Sequence, residues 1–209
     1  MSRLLSYDDI AWQVSEDRAQ SWLDNLHDTN RYVAIKDFIL EHRGGIPIRF
    51  KPVVGGSNIS FRLIYNDTSS VILRIPIPGL SVLPNEKVQY EVATMQWLKK
   101  NTSIPVPSVL HWGISEHNPL QLGPYILMEF IEHDKTLGDR LRDPGLTAND
   151  RPRLNPDIST QDLSFHYRQV AEIYLQLVRT PMPNIGSFIG TRGRPYKTWT
   201  LTGRPLSIH

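Results

Sequence analysis

The sequence contains no cysteine, which removes disulfides, thiolate metal ligands and cysteine nucleophiles together. Nor does it hold an apolar run approaching the roughly 18 to 20 residues of a membrane-spanning helix. Its opening stretch, MSRLLSYDDIAW, lacks the apolar core of a secretory signal, and on these grounds the expected location is cytoplasmic. Charge of one sign is missing too. With 23 Lys and Arg against 21 Asp and Glu, the formal net charge is +2, so neither nucleic acid nor a membrane is an expected partner. The seven histidines include no pair at i, i+4, and no metal site is expected. Three Asn-x-Ser/Thr triplets, at Asn58, Asn66 and Asn101, are read as chance occurrences in a chain without a signal. A last absence is local: beyond Thr180 there is no Asp or Glu at all.

What is present suffices for a core, since 40% of the 209 residues are apolar and 21% charged. Residues 7–26 read as a helix, with Ser6 as a cap and Ile10, Val14, Leu23 and Leu26 near helical spacing beside Trp12 and Trp22. A second helix runs from about Asn30 to Arg43 and ends at Gly44-Gly45, its apolar surface supplied by Val33, Ile35, Phe38, Ile39 and Leu40. From Ile46 the period changes to two. Ile48 and Phe50 lead to a Gly55-Gly56 turn, Phe61, Leu63 and Tyr65 alternate with Arg62 and Ile64, and after a turn at Asn66-Asp67 the set Val71, Leu73, Ile75 alternates with Ile72 and Arg74.

Residues 85–102 have the pattern of a helix capped by Asn85, with Val88, Val92, Met95 and Leu98 as its buried face and Glu91 beside them. The proline-rich approach IPVPSVLHWGI leads to a short strand near Val109 to Trp112, and PYILMEFIE, residues 124–132, reads as a strand buried on both faces. A short helix at Leu137 to Leu141, a polar loop over 142–160, a helix over 164–180 and a weak hairpin containing TWTL complete the pattern.

Segment by segment, GGSNISFRLIY, VILRIPIPG, EKVQYEVATMQWL, TSIPVPSVL, GPYILMEFIE and NIGSF resemble the aminoglycoside-phosphotransferase-like family of small-molecule kinases, especially its fungal members. The resemblance spans roughly residues 46–190 and implies an α+β fold: the N-terminal lobe of the protein-kinase fold, an antiparallel five-stranded sheet with a packed helix. The corresponding divisions are an N-terminal helical extension at 1–45, a nucleotide-binding lobe and hinge at 46–132, and a partial helical second lobe at 133–209.

ATP is the cofactor implied. Gly55, Gly56 and Ser57 would offer backbone N–H groups to its phosphates, and Arg74 would hold them while Glu91 orients the guanidinium. Met128 would guard the back of the adenine pocket, and the backbone of Glu129 and Ile131 would meet the adenine edge. Read from the residues alone, the glycines also fit an ordinary hairpin turn and Arg74 with Glu91 a structural ion pair.

Phosphoryl transfer needs more: a loop of the form H-x-D-x-x-x-x-N and a further aspartate for Mg²⁺. No such loop occurs after Glu132, and beyond Thr180 no aspartate or glutamate is present to hold the metal. HDKTLGDRL at His133 has its aspartate at the wrong offset, so Mg²⁺ is not supported and no catalytic residue is assigned. Two readings stand. The chain is either a fragment or pseudokinase that binds a nucleotide, or a fold turned to an apolar metabolite as a cyclase, an isomerase or an adaptor. Asp134, Glu129, His133 and His166 are the acid–base candidates for the second. If the chain is a short protein that kept the first lobe and gave up phosphoryl transfer, the underside of that lobe and the 164–180 helix are left as apolar surface that a homodimer would cover.

Overall fold

The computed structural model describes residues 5–147, 150–180, 182, 184–191 and 198–203. Two helices open it, α1 (Leu5–Leu26) and α2 (Thr29–Arg43). Asp28 caps α2 by accepting from the Asn30 N–H, and Gly44, at φ 69°, stops it by turning its own N–H onto the Leu40 carbonyl.

The alternating segments form β1 (Pro47–Val54), β2 (Asn58–Tyr65), β3 (Ser70–Pro76), β4 (Val109–Gly113) and β5 (Tyr125–Glu129). They make one five-stranded sheet in the order β1-β2-β3-β5-β4, antiparallel throughout. The fold is α+β with a five-stranded antiparallel sheet, as the resemblance implies. Pro47 and Pro52, which cannot donate to a ladder, lie on the edge strand β1.

The period of two sorts side chains onto two cores. Ile59, Phe61, Leu63 and Tyr65 of β2, Val71, Leu73 and Ile75 of β3, and Tyr125 and Leu127 of β5 pack against Ala19, Leu26, Ile35, Phe38 and Ile39 of the first two helices. On the opposite face, Ile126 and Trp112 meet Val88 and Val92 of α3 (Pro84–Asn101), the helix between β3 and β4. β5 is therefore buried on both faces, which explains its unbroken apolar run.

Several local expectations need correction. Asn85 does not cap α3. The helix starts one residue earlier with Pro84, favoured in the first turn because its missing N–H would be unsatisfied there, and Asn85 Oδ1 instead accepts from the N–H and Oγ of Ser115. Met95 and Leu98 are only half-buried. Tyr90, Ala93 and Trp97 are buried in their place, Trp97 because it stacks on Phe188 at 4.6 Å from well downstream in the chain. α1 already includes Ser6, and Ile10, Trp12 and Val14 lie in water, so only the C-terminal half of that helix serves the core. Val33 and Ile48 are exposed as well.

The second half adds α4 (Leu137–Leu141), α5 (Thr160–Val178) and a two-stranded hairpin of β6 (Phe188–Gly190) and β7 (Trp199–Leu201). α5 begins four residues before its expected start, because Ser159 caps it by accepting from Asp162 N–H. The 142–160 loop is shorter than expected and tied down, by an Arg142–Leu154 bridge and a double hydrogen bond from Arg153 to Asp143. No residue of α5 is buried, so its apolar stripe lies on the surface. No described helix is long and apolar enough to cross a membrane.

The loop after β3 approaches α1 at Gly79, where φ is +94° and an added Cβ would sit 2.5 Å from the Ser15 carbonyl oxygen. Gly79→Ala combines left-handed strain with a backbone clash, so it is expected to cost more than about 1 kcal/mol in urea unfolding. Gly123→Ala, at φ +97° with nothing within 4 Å, supplies the comparison for strain without the clash.

Candidate nucleotide-binding face

The sheet face opposite α1 and α2 carries the candidate site. Register fixes its members: Ser60 lies opposite Arg74, Arg62 opposite Ile72, and Ile72 and Arg74 opposite Met128 and Ile126. Arg74 on β3 and Glu91 on α3 form an ion pair through Nη2 and Oε1, with side chains 23% and 32% exposed. A pair this open to water contributes at most about 1 kcal/mol to stability. What it fixes is the position of the guanidinium, which among the described residues bonds Glu91 alone and has further N–H groups to offer.

Gly55, Gly56 and Ser57 form the tip of the β1–β2 hairpin. Gly55 spends its N–H on the Asn58 carbonyl, and the Ser57 carbonyl takes the Ile77 N–H. The N–H groups of Gly56 and Ser57 have no hydrogen-bond partner among the described residues. Neither Gly55 nor Gly56 has a positive φ, and a Cβ on Gly56 would meet nothing within 4 Å. Folding therefore does not demand glycine at 56. The tip lies three residues along β2 from the position facing Arg74, roughly 10 Å at strand spacing.

Met128 is half-buried on the same face, beside Val109 and Ile72. Glu129 is exposed and committed to Ser108: its N–H bonds the Ser108 carbonyl, and its Oε2 accepts the Ser108 N–H at 3.0 Å. The Ser108 hydroxyl first, then the Ser108 N–H, with Lys99 adding, hold its carboxyl below the ordinary glutamate value. Ile131 is exposed, and its N–H is unpartnered among the described residues. The four acid–base candidates share no hydrogen bond. His133 Nδ1 meets the Ile131 carbonyl, Glu129 is held by Ser108, His166 lies on α5 against Phe165, and Asp134 is exposed.

Sequence reasoning missed two features of this face. The first is a clasp between β2 and the connector after β5. Arg62 lies over the Phe130 ring at 3.8 Å, donates from Nε to Ser70 Oγ at 3.1 Å and pairs with Glu132, whose Oε1 also accepts from Ser70 Oγ at 2.8 Å. Ser70 first, then Arg62, draws the Glu132 carboxyl below its ordinary value. The second is a cationic stripe: Lys51 is in register with Arg62 and Arg49 with Ile64, placing both on this face, and neither has an ion-pair partner among the described residues. Their signal was the alternation in IRFKP, which puts Arg49 and Lys51 on the same side as Arg62 once the register is known.

Cavities of about 350 to 440 Å³ lie elsewhere, beside α4, between the end of α3 and α5, and along the loop that meets α2. Among the described residues no three His, Asp or Glu side chains converge as a metal centre.

The chain is similar to the "altered inheritance of mitochondria protein 9, mitochondrial" of Meyerozyma guilliermondii, 36% identical over 75 residues, covering 35% of this chain and 12% of that protein. The protein of the same name from Saccharomyces cerevisiae is 33% identical over 84 residues, 38% of this chain and 13% of its own length. A subtelomeric hrmA-associated cluster protein of Aspergillus fumigatus is 29% identical over 143 residues, 68% of this chain and 25% of that protein. The chain thus spans about an eighth to a quarter of the relatives it matches. No family model matches, and no solved structure does. The expectation of a cytoplasmic protein is corrected by the yeast relatives, which are named as mitochondrial proteins.

The clasp makes stability depend on pH in a stated direction. A carboxyl lowered in the folded state contributes stability above its unfolded value and loses it as pH falls through the folded one. Urea stability of the wild type is therefore expected to fall more steeply below the ordinary glutamate range than that of Glu132→Gln, the two curves converging once Glu132 is protonated.

Proposed function

We propose that residues 46–132 are the nucleotide-binding lobe of a protein similar to the aminoglycoside-phosphotransferase-like small-molecule kinases. In this reading the lobe binds ATP, and the residues present here do not transfer its phosphate. The observation that carries it is the Arg74–Glu91 pair on a sheet face whose hairpin tip offers two unspent N–H groups. The arrangement fits a phosphate chain: N–H donors at the tip, a fork-shaped cation behind them, and Arg49 and Lys51 adding positive charge farther along the same face. Gly56 leaves the backbone uncovered where a ligand would approach. The Ile131 N–H is available for a base edge, with Met128 behind it.

Mg²⁺ has no carboxylate to hold it beyond Thr180, and no H-x-D-x-x-x-x-N follows the connector. The chain so read is a pseudokinase-like binding lobe, and the names of its relatives favour a mitochondrial setting. A second reading, a fold of this kind turned to an apolar metabolite, is favoured by the cavity beside α4.

ATP at a hundred times its dissociation constant is expected to stabilise the protein by about 2.7 kcal/mol, read as a rise in melting temperature, without nucleotide turnover. Arg74→Ala is expected to weaken ATP at least about tenfold. Gly56→Ala should leave unfolding within about 0.5 kcal/mol of wild type while lowering ATP affinity. Absence of any ATP-dependent shift, or an unchanged affinity in Arg74→Ala, overturns the reading.

The partner proposed is a second copy of the chain. Leu163, Tyr167, Val170, Tyr174 and Leu177 recur at intervals of four and three along α5, a seam two heptads long, and no residue of that helix is buried. Light scattering is expected to give twice 24.0 kDa, and Val170→Asp with Tyr174→Asp to give the monomer. A stable wild-type monomer at micromolar concentration would rule the dimer out.

A further inference from the structure

Two cavities open side by side where α1 and α2 meet the loop before β5. One, of about 350 Å³, is mainly apolar, walled by Ala34, Ile35, Pro119 and Leu120. The other, of about 360 Å³, sets Asn25 and Gln121 against Trp22 and Leu26. Arg31 and Leu122 line both, so the two adjoin. Leu26, Ile35 and Leu122 belong to the core that α1 and α2 make with the sheet, which puts the cavities on the side away from the candidate nucleotide face.

An exposed arginine is ordinarily hydrated surface, and charge is what sets Arg31 apart. It is the one charged residue in either lining, and among the described residues it has neither an ion-pair nor a hydrogen-bond partner. The neighbouring carboxylates of the α1–α2 turn are engaged elsewhere: Asp24 accepts from Gln20 Nε2, and Asp28 from the Asn30 N–H. A guanidinium in this state presents its full charge and its fork, and the fork matches a carboxylate through two parallel N–H···O bonds. One cation balances one negative charge. A dianion such as phosphate would bring a second charge for which neither lining has a partner.

The loop that closes the cavities is held before any ligand arrives. Buried Asn118 ties it: Nδ2 donates to the Gly123 carbonyl, Oδ1 accepts from the Leu120 N–H, and the backbone carbonyl takes the Gln121 N–H. Gln121 sits at φ +55°, in the left-handed region that glycine enters without steric cost, and its side-chain amide has no hydrogen-bond partner among the described residues. Folding alone would favour glycine there. Glutamine keeps an amide donor beside the second cavity.

We infer that the paired cavities bind a small monocarboxylate with a compact apolar body, its carboxylate on the Arg31 guanidinium with the Gln121 amide as a second donor, and its body against Leu120 and Leu122. The site goes beyond both readings above and is independent of ATP binding, so it stands if the nucleotide reading fails.

The test uses the full chain with methyl-labelled leucine and two probes of one ring system, 2-naphthylacetate and 2-naphthylacetamide, with inorganic phosphate as a third. The acid is expected to shift the methyl resonances of Leu120 and Leu122 and to bind about tenfold more tightly than the amide, while phosphate leaves them in place. Arg31→Gln is expected to reduce the acid to the level of the amide with the melting temperature preserved, since Arg31 is exposed and unpaired among the described residues. Gln121→Gly should weaken the acid while the melting temperature holds or rises, an outcome that a purely structural glutamine would not give. Ala34→Phe keeps Arg31, fills the apolar cavity, and should abolish binding of both naphthyl probes. Saturating ATP and the Arg74→Ala substitution are each expected to leave the acid's affinity unchanged, which keeps this test apart from that of the nucleotide reading. Equal binding of acid and amide overturns the inference, as does an unchanged affinity in Arg31→Gln or Gln121→Gly. So do displacement by ATP, the same shifts with phosphate, shifts confined to the Leu163 and Leu177 methyls of α5, or no binding up to the solubility limit.

Discussion

Every candidate residue depends on the pairing of β3 with β2 on one side and β5 on the other. A strand hydrogen-bonded along both edges cannot slip by one residue without exchanging its two faces. Here the exchange would carry Val71, Leu73 and Ile75 out of the core with α1 and α2, and drive Arg74 into it. Burying an unpaired guanidinium is far costlier than any gain from the exposed face, so the apolar residues of β3 decide where its cation stands. The ion pair with Glu91 is a consequence of the register and contributes little to it.

How much of this was legible beforehand follows from the range over which each signal acts. Alternation at period two is local, and it located β2, β3 and the side of the sheet that Arg74 occupies. The end of α2 at Gly44-Gly45 is local as well, since one left-handed residue is enough to stop a helix. The start of α3 was displaced because Asn85 and Pro84 are both good first-turn residues, and only the fold reveals that Asn85 is needed by Ser115. The buried face of α3 was misjudged for the same kind of reason. Trp97 is covered by Phe188, about ninety residues away, and helical spacing carries no trace of such a partner.

The clasp of Arg62, Ser70, Phe130 and Glu132 shows the limit most clearly. Its members lie on two strands and a connector, and nothing in their spacing links them until β2, β3 and β5 are set side by side. Arg62 looked like one polar residue in an alternating strand. Once the register is fixed, that same polarity places it on the Arg74 face, where the connector delivers Glu132 to it. α5 is the converse case. Its apolar periodicity was plain in the sequence and the helix forms, yet the pattern could not say what covers the stripe.

A mobile anion and a purely structural role make different demands on the electrostatics of the face. Arg62 and Arg74 are each neutralised by a carboxylate, so by themselves they would leave the face with no net attraction. Arg49 and Lys51 change that balance: they add two positive charges without an ion-pair partner among the described residues, on the edge strand four to six residues from the hairpin tip, in a chain whose formal net charge is only +2. Charges at an exposed edge act over about 8 to 10 Å at physiological salt, and at strand spacing Lys51 stands roughly 13 Å and Arg49 roughly 20 Å from Gly55, so they bear on the middle of the face rather than on the tip. In the proposed reading those charges would draw an anion onto the face, and the Gly56 and Ser57 N–H groups would fix it at the tip by short-range hydrogen bonds that salt screens much less. A structural ion pair between β3 and α3 would need neither the stripe nor the open tip, and it is their coincidence on one face that separates the two accounts.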